Sequence, residues 1–205
     1  MAPRTSSFVA EFPLVTSPEQ ERALAVRLEA ARQIYNACLG ESLRRLELVR
    51  QSRDWQQACT LKKSRNRTKL FQQAVGRHGF TATAIQKYAE GCRDRCWIGE
   101  HLGSHDTQTT SLRAFRAVQQ YSLGKKGRPR FKGKNRLHSI EAKEDAVILF
   151  RREPVLAIHW RGLVMPLLLD PKTTGTGNHK RWLAGPSMFA SCGVRSKAAS
   201  GGLPN

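Results

Sequence analysis

The sequence predicts an α+β fold: a small β-barrel whose strands are separated along the chain by a helical insertion, followed by a disordered C-terminal tail. Three observations lead there. Apolar residues recur at helical spacing across 18–123 and at strand-like spacing in 6–15 and 139–172. Between the helices and the later strands lies a basic segment, 124–138, whose glycines and proline exclude a helix. A single N-terminal strand is not stable alone, so it is expected to pair with the strands that follow the helices.

The first strand, Ser6 to Val15, is rich in β-formers, and Pro13 makes it an edge strand because proline cannot donate to a ladder. Ser17-Pro18-Glu19-Gln20 then marks a helix start, with Ser17 as N-cap, Pro18 as first helical residue and Gln20 closing a capping box. Leu24, Leu28, Ala31, Tyr35, Cys38, Leu46 and Val49 form one apolar face, broken by Ser42, over about eight turns. That face is expected to pack in the core, with Arg32, Arg44, Arg45 and Arg50 off the stripe. A second helix is predicted over 61–75, ended by Gly76 and Gly79. Thr81 or Thr83 caps a third, which carries Ile85, Tyr88 and Ala89. A fourth spans 107–121, with Asp106 as N-cap and Leu112, Phe115, Val118 and Tyr121 on its apolar face; Gly124 ends it.

Beyond the basic segment the period changes. Runs at 139–142, 146–150, 155–160 and 163–169 read as short strands, with a turn at 151–154 and a break at Gly162. The tail, 173–205, is rich in Gly, Ser, Thr and Ala and has no period, so disorder is expected.

The charge narrows the function. The chain of 205 residues carries 35 Lys and Arg against 16 Asp and Glu, a net charge of +19. Such an excess favours a polyanionic partner, most often nucleic acid. A bilayer is not expected to be crossed, since spanning needs about 18 or more apolar residues and the longest stretch here, 163–169, is short and contains Pro166. Residues 1–10 hold no hydrophobic signal core. The five cysteines, Cys38, Cys59, Cys92, Cys96 and Cys192, are odd in number and lack framework spacing, so they read as reduced thiols in the cytoplasm.

Three clusters carry chemistry. Residues 124–136 hold seven cations and no acid: Lys125, Lys126, Arg128, Arg130, Lys132, Lys134 and Arg136. On an extended backbone these can follow a phosphate ladder, and Phe131 among them offers a face to a base or a residue to the barrel core. A solvated linker is the other reading of the segment. Lys62, Lys63, Arg65, Arg67 and Lys69 form a second cluster, either phosphate contacts or a solvated helix face. Cys92-x3-Cys96-x4-His101-x3-His105 has four zinc-ligand types at compact spacing. Its alternative is a helix with two reduced cysteines followed by a loop with two surface histidines. No catalytic residue is predicted, because these cysteines and histidines come without an oxyanion-hole signal or third member.

The order of parts resembles a known family. Ala31-Arg32-Gln33-Ile34-Tyr35-Asn36-Ala37-Cys38-Leu39 is similar to the Arg-x-x-Tyr-Asn-x-x-Leu element in the first long helix of TnpB/OrfB proteins, the transposon-associated RNA-guided DNA endonucleases related to type V CRISPR effectors. Gly127-Arg128-Pro129-Arg130-Phe131-Lys132, followed by Leu137-His138-Ser139-Ile140, resembles the family's Pro-x-Phe-Lys segment, and Gly162 to Leu167 resembles the closing strand of its wedge barrel. The resemblance covers about residues 6–172. It implies a wedge barrel built from 1–17 and 139–172, a helical recognition domain at 18–123, and a return path at 124–138. It further implies that guide RNA and an RNA–DNA hybrid are held largely by backbone and shape.

The family's nuclease half, a RuvC-like domain with metal-binding carboxylates, lies beyond the region of resemblance. The divalent metals of that site are therefore not expected here. Asp170 is the one candidate ligand, and it lacks the family's surrounding pattern and reads as structural or surface. The expectation is a truncated transposase-like chain that binds nucleic acid and does not cut DNA by itself. Two alternatives stand beside it: a fragment completed in trans by a RuvC-like chain, and a generic basic DNA-binding module. Back-translation of Trp182 to Cys192, read from the third base of the Trp182 codon, permits a basic family-like sequence, so 173–205 is expected to be an out-of-frame tail.

Overall fold

The computed structural model describes residues 12–141, 148–151, 155–168 and 193–195. The chain is a mixed helix and strand protein. Among the described residues six helices come first: α1 (Pro18–Gln51), α2 (Arg53–Thr60), α3 (Arg65–Arg77), α4 (Ala82–Asp94), α5 (Ile98–His101) and α6 (Ser104–Ser122). The strands follow: β1 (Ser139–Glu141), β2 (Ile148–Arg151), β3 (Ala157–Trp160), β4 (Leu163–Pro166) and β5 (Gly193–Arg195).

The 34-residue α1 organises the rest. Both halves of its capping box form: the Gln20 amide donates to Ser17 Oγ at 3.2 Å, and the Ser17 amide donates to Gln20 Oε1 at 3.0 Å. Leu28, Ala31, Ile34, Tyr35, Cys38, Leu39, Leu46 and Val49 are buried along it, as the apolar stripe requires. They pack against α4 and α6, which also pack on each other. Ile85 and Ala89 of α4 and Ala114, Phe115 and Val118 of α6 complete this core, and Phe80 meets Phe115 at 5.1 Å. Burial raises the pKa of the Cys38 thiol to about 12, so it stays a protonated apolar core group. Beside the bundle, α2 and α3 form a small hairpin around Trp55 and Phe71, whose rings meet edge-on at 4.7 Å.

β2, β3 and β4 make a three-stranded antiparallel sheet with Ile148 opposite Trp160 and Ile158 opposite Met165. The two-residue turn from β3 to β4 uses Arg161 (φ 45°) and Gly162 (φ 82°). Positive φ at both positions gives the reversed turn whose twist suits a tight hairpin. The N-terminal segment does join these strands. Leu14 bridges Leu167 antiparallel, the Val15 amide donates to Pro166 O at 2.8 Å, and the Leu168 amide donates to Pro13 O at 2.8 Å.

Buried charge fastens sheet to bundle. The Arg27 guanidinium donates to the carbonyls of Trp160 and Arg161, both at 2.8 Å, and lies 4.9 Å from the Trp160 ring centroid. Asp106, fully buried in the first turn of α6, accepts from the Gly103 amide at 3.1 Å. Burial raises its pKa, while the Gly103 amide, the Trp160 indole, Arg161 and Arg27 pull it down.

Several expectations need correction. The strands do not close a barrel among the described residues: β1 pairs with β5 apart from the three-stranded sheet. Strands of three or four residues span only about 10–13 Å, too little for the tilt and stagger that closure requires. The helix expected at 61–75 is α3, which starts four residues later at Arg65, and α2 before it was not expected. Leu61 is extended, Ser64 caps α3, and α3 continues through Gly76 to Arg77, while Gly79 turns the chain at φ 62°. Thr81 is the cap of α4. Asp106 sits three residues inside α6, not at its cap, which is Gly103. The tail, 173–205, lies outside the described residues except for β5, which pairs with β1. Asp170 also lies outside them. Among the described residues no helix is long and apolar enough to cross a membrane.

Candidate nucleic-acid interface

The basic arm starts where α6 stops. Gly124 takes φ 68° and donates to Tyr121 O at 3.0 Å, and the Lys125 amide donates to Gln120 O at 3.0 Å. This paired closure ends a helix cleanly and needs the left-handed residue that glycine provides. From there the chain runs without regular structure to β1.

It is nonetheless held in place. Asn36 on α1 grips the backbone of Lys132 twice: its Nδ2 donates to Lys132 O and its Oδ1 accepts from Lys132 N, both at 2.8 Å. Arg32 adds a third bond to Lys132 O at 2.9 Å. Arg32 and Asn36 are four residues apart and share one helix face. One turn further along, the Phe131 ring lies over Gly40; a methyl built on Gly40 would stand 3.7 Å from Phe131 Cε1. Arg128 lies near Arg44, Glu47 and Arg50, while Lys134 at the other end is felt by Glu29. The arm therefore runs antiparallel along the flank of α1 from Glu47 to Glu29, about 27 Å of helix.

Two acids on this flank, Glu29 and Glu41, are neutralised by arginines of α1 itself, while Glu47 meets only a neutral amide. Glu29 is held by Arg32 at 2.6 and 2.8 Å, which is the main cause of its lowered pKa. Glu41 is held by Arg44 and Arg45 at 2.8 and 2.7 Å, which bring its pKa down to about 2. Glu47 accepts from Gln51 at 2.9 Å. Each acid is thus engaged by a neighbour on its own helix. Lys125, Lys126, Arg128, Arg130, Lys134 and Arg136 are exposed, and among the described residues none forms an ion pair. Lys132 is half-buried. Phe131 is 60% exposed, so it is not a core residue of the sheet.

Between α1, the end of α6 and the arm lies a cleft of about 450 Å³, lined by Gly40, Arg44, Arg50, Tyr121, Arg128 and Phe131 among others. Arg50 lies over the Tyr121 ring at 5.2 Å.

The second basic cluster is elsewhere. Lys62, Lys63 and Arg65 are exposed at the turn into α3. Arg67 is half-buried with its guanidinium 5.4 Å from the Phe71 ring, which makes it partly a packing residue. No acid stands in the first turn of α3 to offset these cations, and the helix dipole adds to their field.

The four zinc candidates do not converge. Cys96 is exposed and its thiol donates to Cys92 O at 2.9 Å, and His101 packs edge-on to Trp97 at 5.3 Å. His105 sits on α6 with a buried, unpartnered Nδ1. Among the described residues no three His, Cys, Asp or Glu side chains come together to hold a metal.

Sequence reasoning did not find the clamp made by Asn36 and Arg32, nor the cleft residues Gly40, Arg50 and Tyr121. The i, i+4 spacing of Arg32 and Asn36 was a usable signal for the clamp. Nothing in the sequence brings Tyr121 to Arg50, because they are distant in the chain and meet only through helix packing. No protein-family model, no curated protein and no solved structure matches this chain.

Proposed function

We propose that the chain binds nucleic acid along the arm at 124–136, gripping phosphates of structured RNA and of an RNA–DNA hybrid. The observation that carries this is the unpaired arm itself: exposed cations on a segment pinned at Lys132, facing helix acids already engaged by α1. A pinned, charged strand offers phosphate contacts with little ordering cost. The TnpB/OrfB-like motifs meet in space, since Arg32 and Asn36 of one hold Lys132 of the other. On this reading the sheet and the N-terminal segment correspond to the family's wedge barrel, the helices to its recognition domain, and cutting belongs to a RuvC-like part outside the region of resemblance. The chain would act in the cytoplasm and supply the grip.

The test is the salt dependence of binding. If the arm neutralises about five phosphates, the log–log slope should lie near −3.5 on single strands, at about −0.7 per phosphate. Replacing Lys125, Lys126, Arg128, Arg130 and Lys132 by Gln should flatten it, and an unchanged slope removes the arm from the interface. Equal binding to structured RNA and to plain duplex DNA at matched salt would favour a generic basic DNA-binding module. Metal-dependent cleavage on adding a separate RuvC-like chain would identify a nuclease fragment completed in trans.

A further inference from the structure

The arm's charge accounts for phosphate binding but leaves the cleft beside it unexplained. Its walls are chemically mixed. Phe131 rests its Cε1 and Cζ edge over Gly40, so the ring is anchored at the edge while 60% of the residue stays exposed. Tyr121 forms a second aromatic wall, capped by Arg50 at 5.2 Å. Arg44 and Arg128 add cations at the rim, and the Arg44 side chain is 61% exposed. Glu47 is the one acid of the lining, and Gln51 already donates to it. The volume of about 450 Å³ lies within the range of small-ligand pockets, about 300–1,000 Å³.

We propose that this cleft takes one unpaired base of a single-stranded nucleic acid, stacked on Phe131, with its flanking phosphates on Arg128 and Arg50. The proposal rests on nucleic-acid binding by the arm and adds a subsite to it. Aromatic faces next to arginines suit this ligand because every base has a stackable face and every nucleotide a phosphate. A base locked in a duplex cannot present that face, so the cleft favours single strands over duplex. Gly40 matters because the Phe131 ring rests on it, and a side chain larger than a methyl would push the ring off that seat.

The experiment uses the full chain and a short oligouridylate carrying one central 2-aminopurine, at fixed salt. Wild type should bind and change the 2-aminopurine emission as the base stacks. Phe131→Ala should weaken binding about five- to a hundred-fold, in line with the cost of losing one stacked base, and abolish the emission change. Phe131→Trp should restore both. Gly40→Leu, which displaces the Phe131 ring from the helix surface it rests on, should also abolish the emission change, and circular dichroism checks that each variant keeps its helices. Wild-type affinity and emission in both Phe131→Ala and Gly40→Leu would overturn the subsite, while a Lys125/Lys126 charge variant that still binds more weakly would show the arm's grip intact. Failure of wild type to bind the oligonucleotide while it still binds structured RNA would overturn the subsite and leave the grip standing, and failure on both would overturn both.

Discussion

Removing the Asn36 side chain tests whether the arm is a built part of the fold or a loose tether. Asn36→Ala deletes two hydrogen bonds of 2.8 Å to the Lys132 backbone and leaves Arg32 as the remaining anchor at 2.9 Å. Each such bond contributes about 1 kcal/mol net in a half-buried setting, so arm docking should weaken by about 2 kcal/mol. That corresponds to a roughly thirty-fold rise in local opening. The same bonds are lost in global unfolding, so global stability should fall by up to the same ~2 kcal/mol. The assay is amide hydrogen exchange. The Lys132 amide, which donates to Asn36 Oδ1, should lose about thirty-fold protection. Binding to RNA should weaken at every salt concentration with an unchanged slope, because the cations remain and only their ordering is lost. Unaltered protection at Lys132 would refute the clamp.

Three further outcomes follow from the same geometry. Arg27→Lys keeps the charge but cannot span the Trp160 and Arg161 carbonyls or cover the indole, so urea unfolding should show a loss of about 2–3 kcal/mol; a change below about 0.5 kcal/mol would mean the sheet is fastened elsewhere. Glu41, whose pKa is held at about 2 chiefly by its hydrogen bond to Arg44 and also by Arg45, contributes stability above its ordinary value of 4.5 and loses it as pH falls from there towards 2. Glu41→Gln should flatten the stability curve in that window, and a carboxyl NMR midpoint near 4.5 for Glu41 would contradict the assignment. Gly40→Ala should stabilise the chain by about 1 kcal/mol through helix propensity, raising Tm by roughly 2–4 °C, because the new methyl meets Phe131 at an ordinary contact distance; destabilisation would show the ring packs closer than 3.7 Å.

The helices were the most legible part of the chain. Ser17, Pro18 and Gln20 act within one turn of backbone, so local chemistry suffices to place the start of α1. The buried stripe from Leu28 to Val49 follows from helical period alone. The start of α3 at Arg65 was not legible from Leu61, because a capped turn at Ser64 competes with a continuous basic run of good helix formers. Asp106 looked like a cap because of its type and position, yet the chain enters α6 three residues earlier and uses the carboxylate from inside the first turn. The barrel expectation failed at closure, which depends on strand length and stagger between distant segments. In the candidate site, the cations of the arm were visible by composition, while their orientation was not.

By itself the sequence determined the charge, the non-helical character of 124–136 and the long amphipathic α1, since each depends on residues close together in the chain. Only the tertiary structure decided what the arm lies against. Asn36 meets Lys132, Phe131 meets Gly40 and Arg50 meets Tyr121 across some 70 to 100 residues of chain. Those meetings are set by how α1 and α6 pack, and no local rule encodes a packing angle. The same packing leaves the acids of α1 engaged with their own helix neighbours and the cations of the arm facing solvent. Composition alone fixes how much positive charge the chain carries; the fold decides that it stands unpaired beside an aromatic cleft.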